Sequence, residues 1–89
     1  MIHVELSTAL TQMADGRSSF ELNARNLGEV MNLVAEEFPG LHAAITAGET
    51  LKPFVKVFAD GVAVRLPADK ELVLRADCRL RIVVAVAGG

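Results

Sequence analysis

Tryptophan and tyrosine are absent from this 89-residue chain, aromatic residues make up only 4% of it, and it holds one cysteine and two histidines. Single-stranded nucleic acid is bound by basic grooves set with rings on which bases stack, so the shortage of rings, with a net charge of -2, excludes that class of partner. The lone Cys78 cannot form an internal disulfide and fits a reducing compartment, so the expected location is cytoplasmic. It reads as a small buried hydrophobe at the entrance to a strand. His3, His42 and Cys78 lie far apart in sequence, with no metal-ligand spacing, and the histidines read as solvated surface positions. Glu36 and Glu37 are adjacent and diverge on a helix, so they make no acid/base pair. There is no nucleophile beside a base and no glycine-rich phosphate loop. The chain is therefore not expected to be an enzyme by itself, or to bind a metal or cofactor. It also lacks about 18 consecutive apolar residues and a leader-like start, so neither a membrane span nor export is expected.

Hydrophobic residues make up 52% and charged residues 22%, which is the composition of a packed globule. Its length allows one modest core, so residues 1–89 are read as a single domain. Charge is unevenly placed. Residues 1–49 hold 2 basic and 7 acidic side chains, and residues 50–89 hold 7 basic and 4 acidic ones.

Ile2, Val4 and Leu6 alternate with His3, Glu5 and Ser7, the period of a strand with one buried face. After the turn-forming Ala14-Asp15-Gly16, Ser18, Phe20 and Leu22 alternate likewise and predict an antiparallel partner across a long loop. Asn26 followed by Glu29 is a capping-box-like start, and Leu27, Val30, Met31, Val34 and Phe38 then recur at helical spacing. Pro39-Gly40 is expected to end this helix, with one or two further turns over 41–47. A strand over Phe54 to Ala59, the dipeptide Asp60-Gly61 and Val62 to Val64 predict a tight hairpin. Residues 66–77 read as a surface connection with a short strand at Leu72 to Leu74. Leu80, Ile82 and Val84 mark a final strand that runs into Val86-Ala87-Gly88-Gly89. One long helix over a mixed sheet makes this an α+β two-layer domain, for which the β-grasp arrangement is the natural candidate. The helix should cover Ile2, Val4, Leu6, Val55, Val57, Leu80 and Ile82.

Residues 86–89 read as a flexible C-terminal tail with no bulky side chain after Val86. Four extended residues reach roughly 13 Å from the sheet. Because glycine has no Cβ, walls of a partner can close around Gly88, and the carboxylate of Gly89 can approach an ATP α-phosphate. Alternation also proposes a docking face. If Val55 and Val57 point inward, then Phe54, Lys56 and Phe58 point outward beside Arg79, Arg81 and Val83. Exposed rings there would mark a partner surface, with the arginines meeting an acidic rim; alternatively, the 66–77 segment covers one or both rings.

Glu37-Phe38-Pro39-Gly40-Leu41, Leu51-Lys52-Pro53-Phe54-Val55-Lys56-Val57-Phe58-Ala59-Asp60-Gly61 and Ala85-Val86-Ala87-Gly88-Gly89 together resemble the MoaD/ThiS family of ubiquitin-like sulfur carriers. The resemblance spans nearly the whole chain. It is nearer to the longer MoaD-like and cysteine-biosynthesis carriers than to ThiS, because of the insert from Pro39 to Phe54. Where many relatives have Asn-Gly and Gly-Asp, this chain has Asp60-Gly61 and Ala76-Asp77. The resemblance implies a β-grasp fold and activation of Gly89 by a ubiquitin-activating-type adenylating enzyme, which consumes ATP. It further implies a C-terminal thiocarboxylate that gives up sulfur in a synthase subunit, in biosynthesis of molybdopterin, cysteine or a related metabolite. A protein modifier using the same activated glycine, and a β-grasp interaction module without terminal chemistry, are the alternatives.

Overall fold

In the computed structural model, which describes residues 1–85, the period-two runs form strands and the capped helical run forms a helix. Val86, Ala87, Gly88 and Gly89 lie outside the described residues. Strand β1 (Ile2–Leu6) pairs antiparallel with β2 (Ser19–Leu22), with Val4 opposite Phe20. Their connection is not a plain loop. Thr8–Ala14 form a 3-10 helix that buries Leu10 and Ala14, and Asp15 and Gly16, at φ 55° and 80°, turn the chain back.

Helix α1 (Leu27–Glu37) begins as its sequence predicts. Asn26 Oδ1 accepts the Glu29 N–H at 2.8 Å, and Glu29 Oε1 accepts the Arg25 N–H at 2.8 Å, so amides at the helix entrance have partners. Its buried stripe is Leu27, Val30, Met31 and Val34, and Phe38 at its end packs against Phe20 with ring centres 4.7 Å apart and planes tilted by 44°. The second helix departs from expectation. Helix α2 (Pro39–Ile45) starts at Pro39 itself, because proline stops the preceding helix but is well placed in a first turn, where its missing N–H goes unused. Short strands β3 (Thr46–Ala47) and β4 (Thr50–Leu51) then pair around Gly48 at φ 65°.

Strand β5 (Val55–Ala59) and β6 (Val62–Val64) form the expected hairpin, with Asp60 at φ 48° and Gly61 at φ 84°. Two consecutive positive φ angles match the right-handed twist of the strands they join. The expected strand at Leu72 to Leu74 is reduced to a single bridge between Val73 and Asn26. Residues around it bond to the start of α1 instead. Gly28 N–H donates to Lys70 O at 2.8 Å, Leu27 N–H to Leu72 O at 3.3 Å, and Leu74 N–H to Arg25 O at 2.8 Å. Gly28 is thereby explained, since a Cβ there would sit 3.1 Å from Lys70 O.

Strand β7 (Arg79–Val84) lies in the middle of the sheet, whose order is β2-β1-β7-β5-β6. It runs parallel to β1 and antiparallel to β5. The helices cover one face, and Ile2, Val4, Leu6, Val55, Val57, Leu80 and Ile82 are all buried there, as expected. This is the ubiquitin-like β-grasp. Truncating a central side chain such as Leu80 to Ala would cost roughly 2–5 kcal/mol.

Candidate functional site

Alternation places the remaining side chains of the sheet on its uncovered face. In register across it stand Glu21 and His3, then Glu5 opposite Arg81, then Phe58 opposite Arg81 and Ala63, with Lys56 opposite Val83. Arg79 and Arg81 are exposed, while Phe58 and Val83 are half-buried. Phe54 is 50% exposed and sits just before β5, where its carbonyl accepts the Ala85 N–H at 2.7 Å. Phe54 is thus beside the last described residue of the chain. Of the five residues expected to form a docking face, Phe58, Arg79, Arg81 and Val83 alternate onto this side of the sheet, and Phe54 precedes β5 in a turn. The 66–77 segment bonds through Lys70, Leu72 and Leu74 to the start of α1, and through Arg75 to Asp60. Gly88 and Gly89 lie outside the described residues.

The face carries more charge than alternation of single strands revealed. Glu5 Oε2 lies 3.6 Å from Arg79 Nη1, and Glu5 Oε1 lies 3.8 Å from Arg81 Nε. His3 Nδ1 is 2.9 Å from Glu21, its cross-strand neighbour, so His3 is a paired surface residue and not simply a solvated one. The sequence shows each of these residues pointing outward, but which ones meet depends on register, and register is fixed by the whole sheet. Ion pairs this exposed are worth little and yield readily to a partner's charges. The result is a face with acidic groups on β1 and β2 and basic groups on β7 and β5.

Asp60 ties the hairpin to the start of β7. Its carboxylate accepts the Arg79 N–H at 3.0 Å and Arg75 Nε–H at 3.1 Å, and its own N–H donates to Arg79 O at 2.9 Å. The Arg79 amide, and after it the Arg75 guanidinium, hold the carboxyl below its usual range. Cys78 is fully buried, as its apolar character suggests. Burial first, then the nearby Asp60 charge, pushes its thiol up, which keeps it protonated and a poor nucleophile. Among the described residues no group of three His, Cys, Asp or Glu side chains could hold a metal ion. No described helix is long and apolar enough to cross a membrane.

The fold is the ubiquitin-like β-grasp, and the chain resembles MoaD/ThiS-like sulfur carriers. No protein-family model matches the chain, and no curated protein sequence does. Solved structures do match. A chain of the Amycolatopsis orientalis BexX/CysO complex is 27% identical, with a TM-score of 0.87 over 100% of this chain and 100% of that one. Mycobacterium tuberculosis CysO, described as an antigen, is 19% identical with a TM-score of 0.82, over 97% of this chain and 100% of that one. The small archaeal modifier protein 1 of Methanosarcina acetivorans is 21% identical with a TM-score of 0.79, over 99% of this chain and 95% of that one. The CysO likeness falls on the side of the family to which the Pro39 to Phe54 insert points.

Proposed function

We propose that this protein is a sulfur carrier whose reacting group is the carboxylate of Gly89. A ubiquitin-activating-type partner would supply ATP; a carboxylate oxygen attacks the α-phosphorus, pyrophosphate leaves, and an acyl adenylate forms. A hydrosulfide-level nucleophile then attacks the acyl carbon and AMP leaves, giving a thiocarboxylate that donates sulfur inside a synthase subunit. The chain contributes no side-chain catalyst in this reading; it supplies the docking face and the acyl group. The observation that carries it is the full-length structural match to a chain of the BexX/CysO complex, in a sequence whose last strand, β7, is followed within five residues by Gly88 and Gly89.

Phe54, Phe58 and Val83 supply apolar area on the docking face, and Arg79 and Arg81 suit an acidic rim around the partner's channel. The acceptor is a biosynthetic precursor of molybdopterin, cysteine or a related sulfur metabolite. The likeness to a small archaeal modifier protein favours a second reading, in which the same acyl adenylate passes to a lysine amine of a target protein. Higher-mass isopeptide adducts in cell extract would support the modifier. Deleting Gly88 and Gly89 separates both readings from a plain interaction module. They require loss of biological activity with an unchanged melting temperature, and full activity of the truncated chain would overturn them.

A further inference from the structure

The parallel ladder between β1 and β7 is regular up to its last rung. His3 N–H donates to Cys78 O at 2.9 Å, and the same pattern brings Ser7 N–H to Ile82 O at 3.0 Å. In such a ladder the next amide, that of Val84, would donate to the carbonyl of Ser7. That carbonyl is already engaged, because Ser7 O accepts the Leu10 N–H at 2.9 Å as the chain turns into the 3-10 helix. Val84 N–H donates instead to Ser7 Oγ, at 3.3 Å. A serine preceding a helix ordinarily turns its hydroxyl to an amide of that helix, but Ser7 makes no such bond. Its side chain replaces the main-chain acceptor that β7 loses where β1 ends. On the other edge of β7, Ala85 N–H is held by Phe54 O at 2.7 Å.

We propose that Ser7 is a positioning residue for the reacting C-terminus: its hydroxyl and the Phe54 carbonyl clamp the end of β7 at Val84 and Ala85, the point from which residues 86–89 continue. This rests on the sulfur-carrier reading. From Ala85 the four remaining residues span roughly 13 Å, and a strand end that frays by two residues adds about 7 Å of slack. The Gly89 carboxylate would then reach the partner's phosphate from many more orientations, few of them reactive. Docking through the sheet face would be untouched, so the loss belongs in turnover and not in carrier affinity.

The test pairs Ser7→Ala with Ser7→Thr, which restores a hydroxyl. In amide hydrogen exchange, Ser7→Ala should speed Val84 about five-fold relative to Leu80, the size of one net hydrogen bond, and Ser7→Thr should restore the ratio. With an activating enzyme that thiocarboxylates the wild-type chain, Ser7→Ala should lower kcat about five-fold while KM for the carrier stays within about two-fold, and Ser7→Thr should recover kcat. An unchanged Val84-to-Leu80 ratio overturns the clamp. A raised ratio with unchanged kcat overturns the positioning role alone. A wild-type chain that no activating enzyme modifies overturns the carrier reading, and the role with it.

Discussion

Asp60 places a charge where the turn asks only for a residue that tolerates positive φ. Asn tolerates that conformation as well, so Asp60→Asn keeps the hairpin and removes the charge. The folded Asp60 carboxyl is held below its unfolded value by the Arg79 amide and the Arg75 guanidinium. A carboxylate shifted in this direction stabilises the fold above its unfolded pKa of about 4 and loses that contribution as pH falls through the lower folded value. The melting temperature of the wild-type protein should therefore fall more between about pH 5 and pH 2 than that of Asp60→Asn, and the two should converge at the acid end. Parallel melting curves across that range would contradict the linkage. At this scale much was legible: the Asp-Gly dipeptide named its turn, Asn26 and Glu29 named a helix start, and buried Cys78 behaved as a small hydrophobe. Gly28 was not legible. Its reason is a carbonyl 42 positions away, Lys70 O, which only the folded chain brings near.

Among elements, those with strong periodicity were readable, and those that exist through tertiary contact were not. Strands β1, β5 and β7 and helix α1 each have a run long enough for the alternation to speak. The 3-10 helix at Thr8–Ala14 has no amphipathic repeat of its own and is held by burying Leu10 and Ala14. The pair β3 and β4 is two residues long on each side, below any periodic signal. The outward side of each strand was legible from alternation, whereas the charge pairs across the sheet waited on register. This face carries a prediction of its own. Phe54→Asp should weaken binding to an activating enzyme by about ten-fold or more, because an exposed aromatic anchor is lost and a charge is placed against an acidic rim. Its melting temperature should stay close to wild type, since Phe54 is 50% exposed and precedes β5. Retained affinity measured by titration, or a collapsed fold, would remove Phe54 from the interface.

Across the whole molecule, the asymmetry of charge along the chain becomes an asymmetry across one face. The acidic first half contributes Glu5 and Glu21 through β1 and β2, and the basic second half contributes Lys56, Arg79 and Arg81 through β5 and β7. The β-grasp order sets these strands side by side, places β7 at the centre with both edges paired, and brings Phe54 against Ala85. The outward side chains of β5 and β7 and the last described residue, Ala85, are thus neighbours in the sheet. The central claim is chemical: the Gly89 carboxylate is the group that reacts. Intact mass after incubation with ATP, a sulfide source and a candidate activating enzyme tests it directly, beside a variant lacking Gly89. The account predicts a gain of about 16 Da, sulfur in place of oxygen, located at the C-terminus and absent from the variant. No gain with several competent activating enzymes, or an equal gain in the variant, would contradict it.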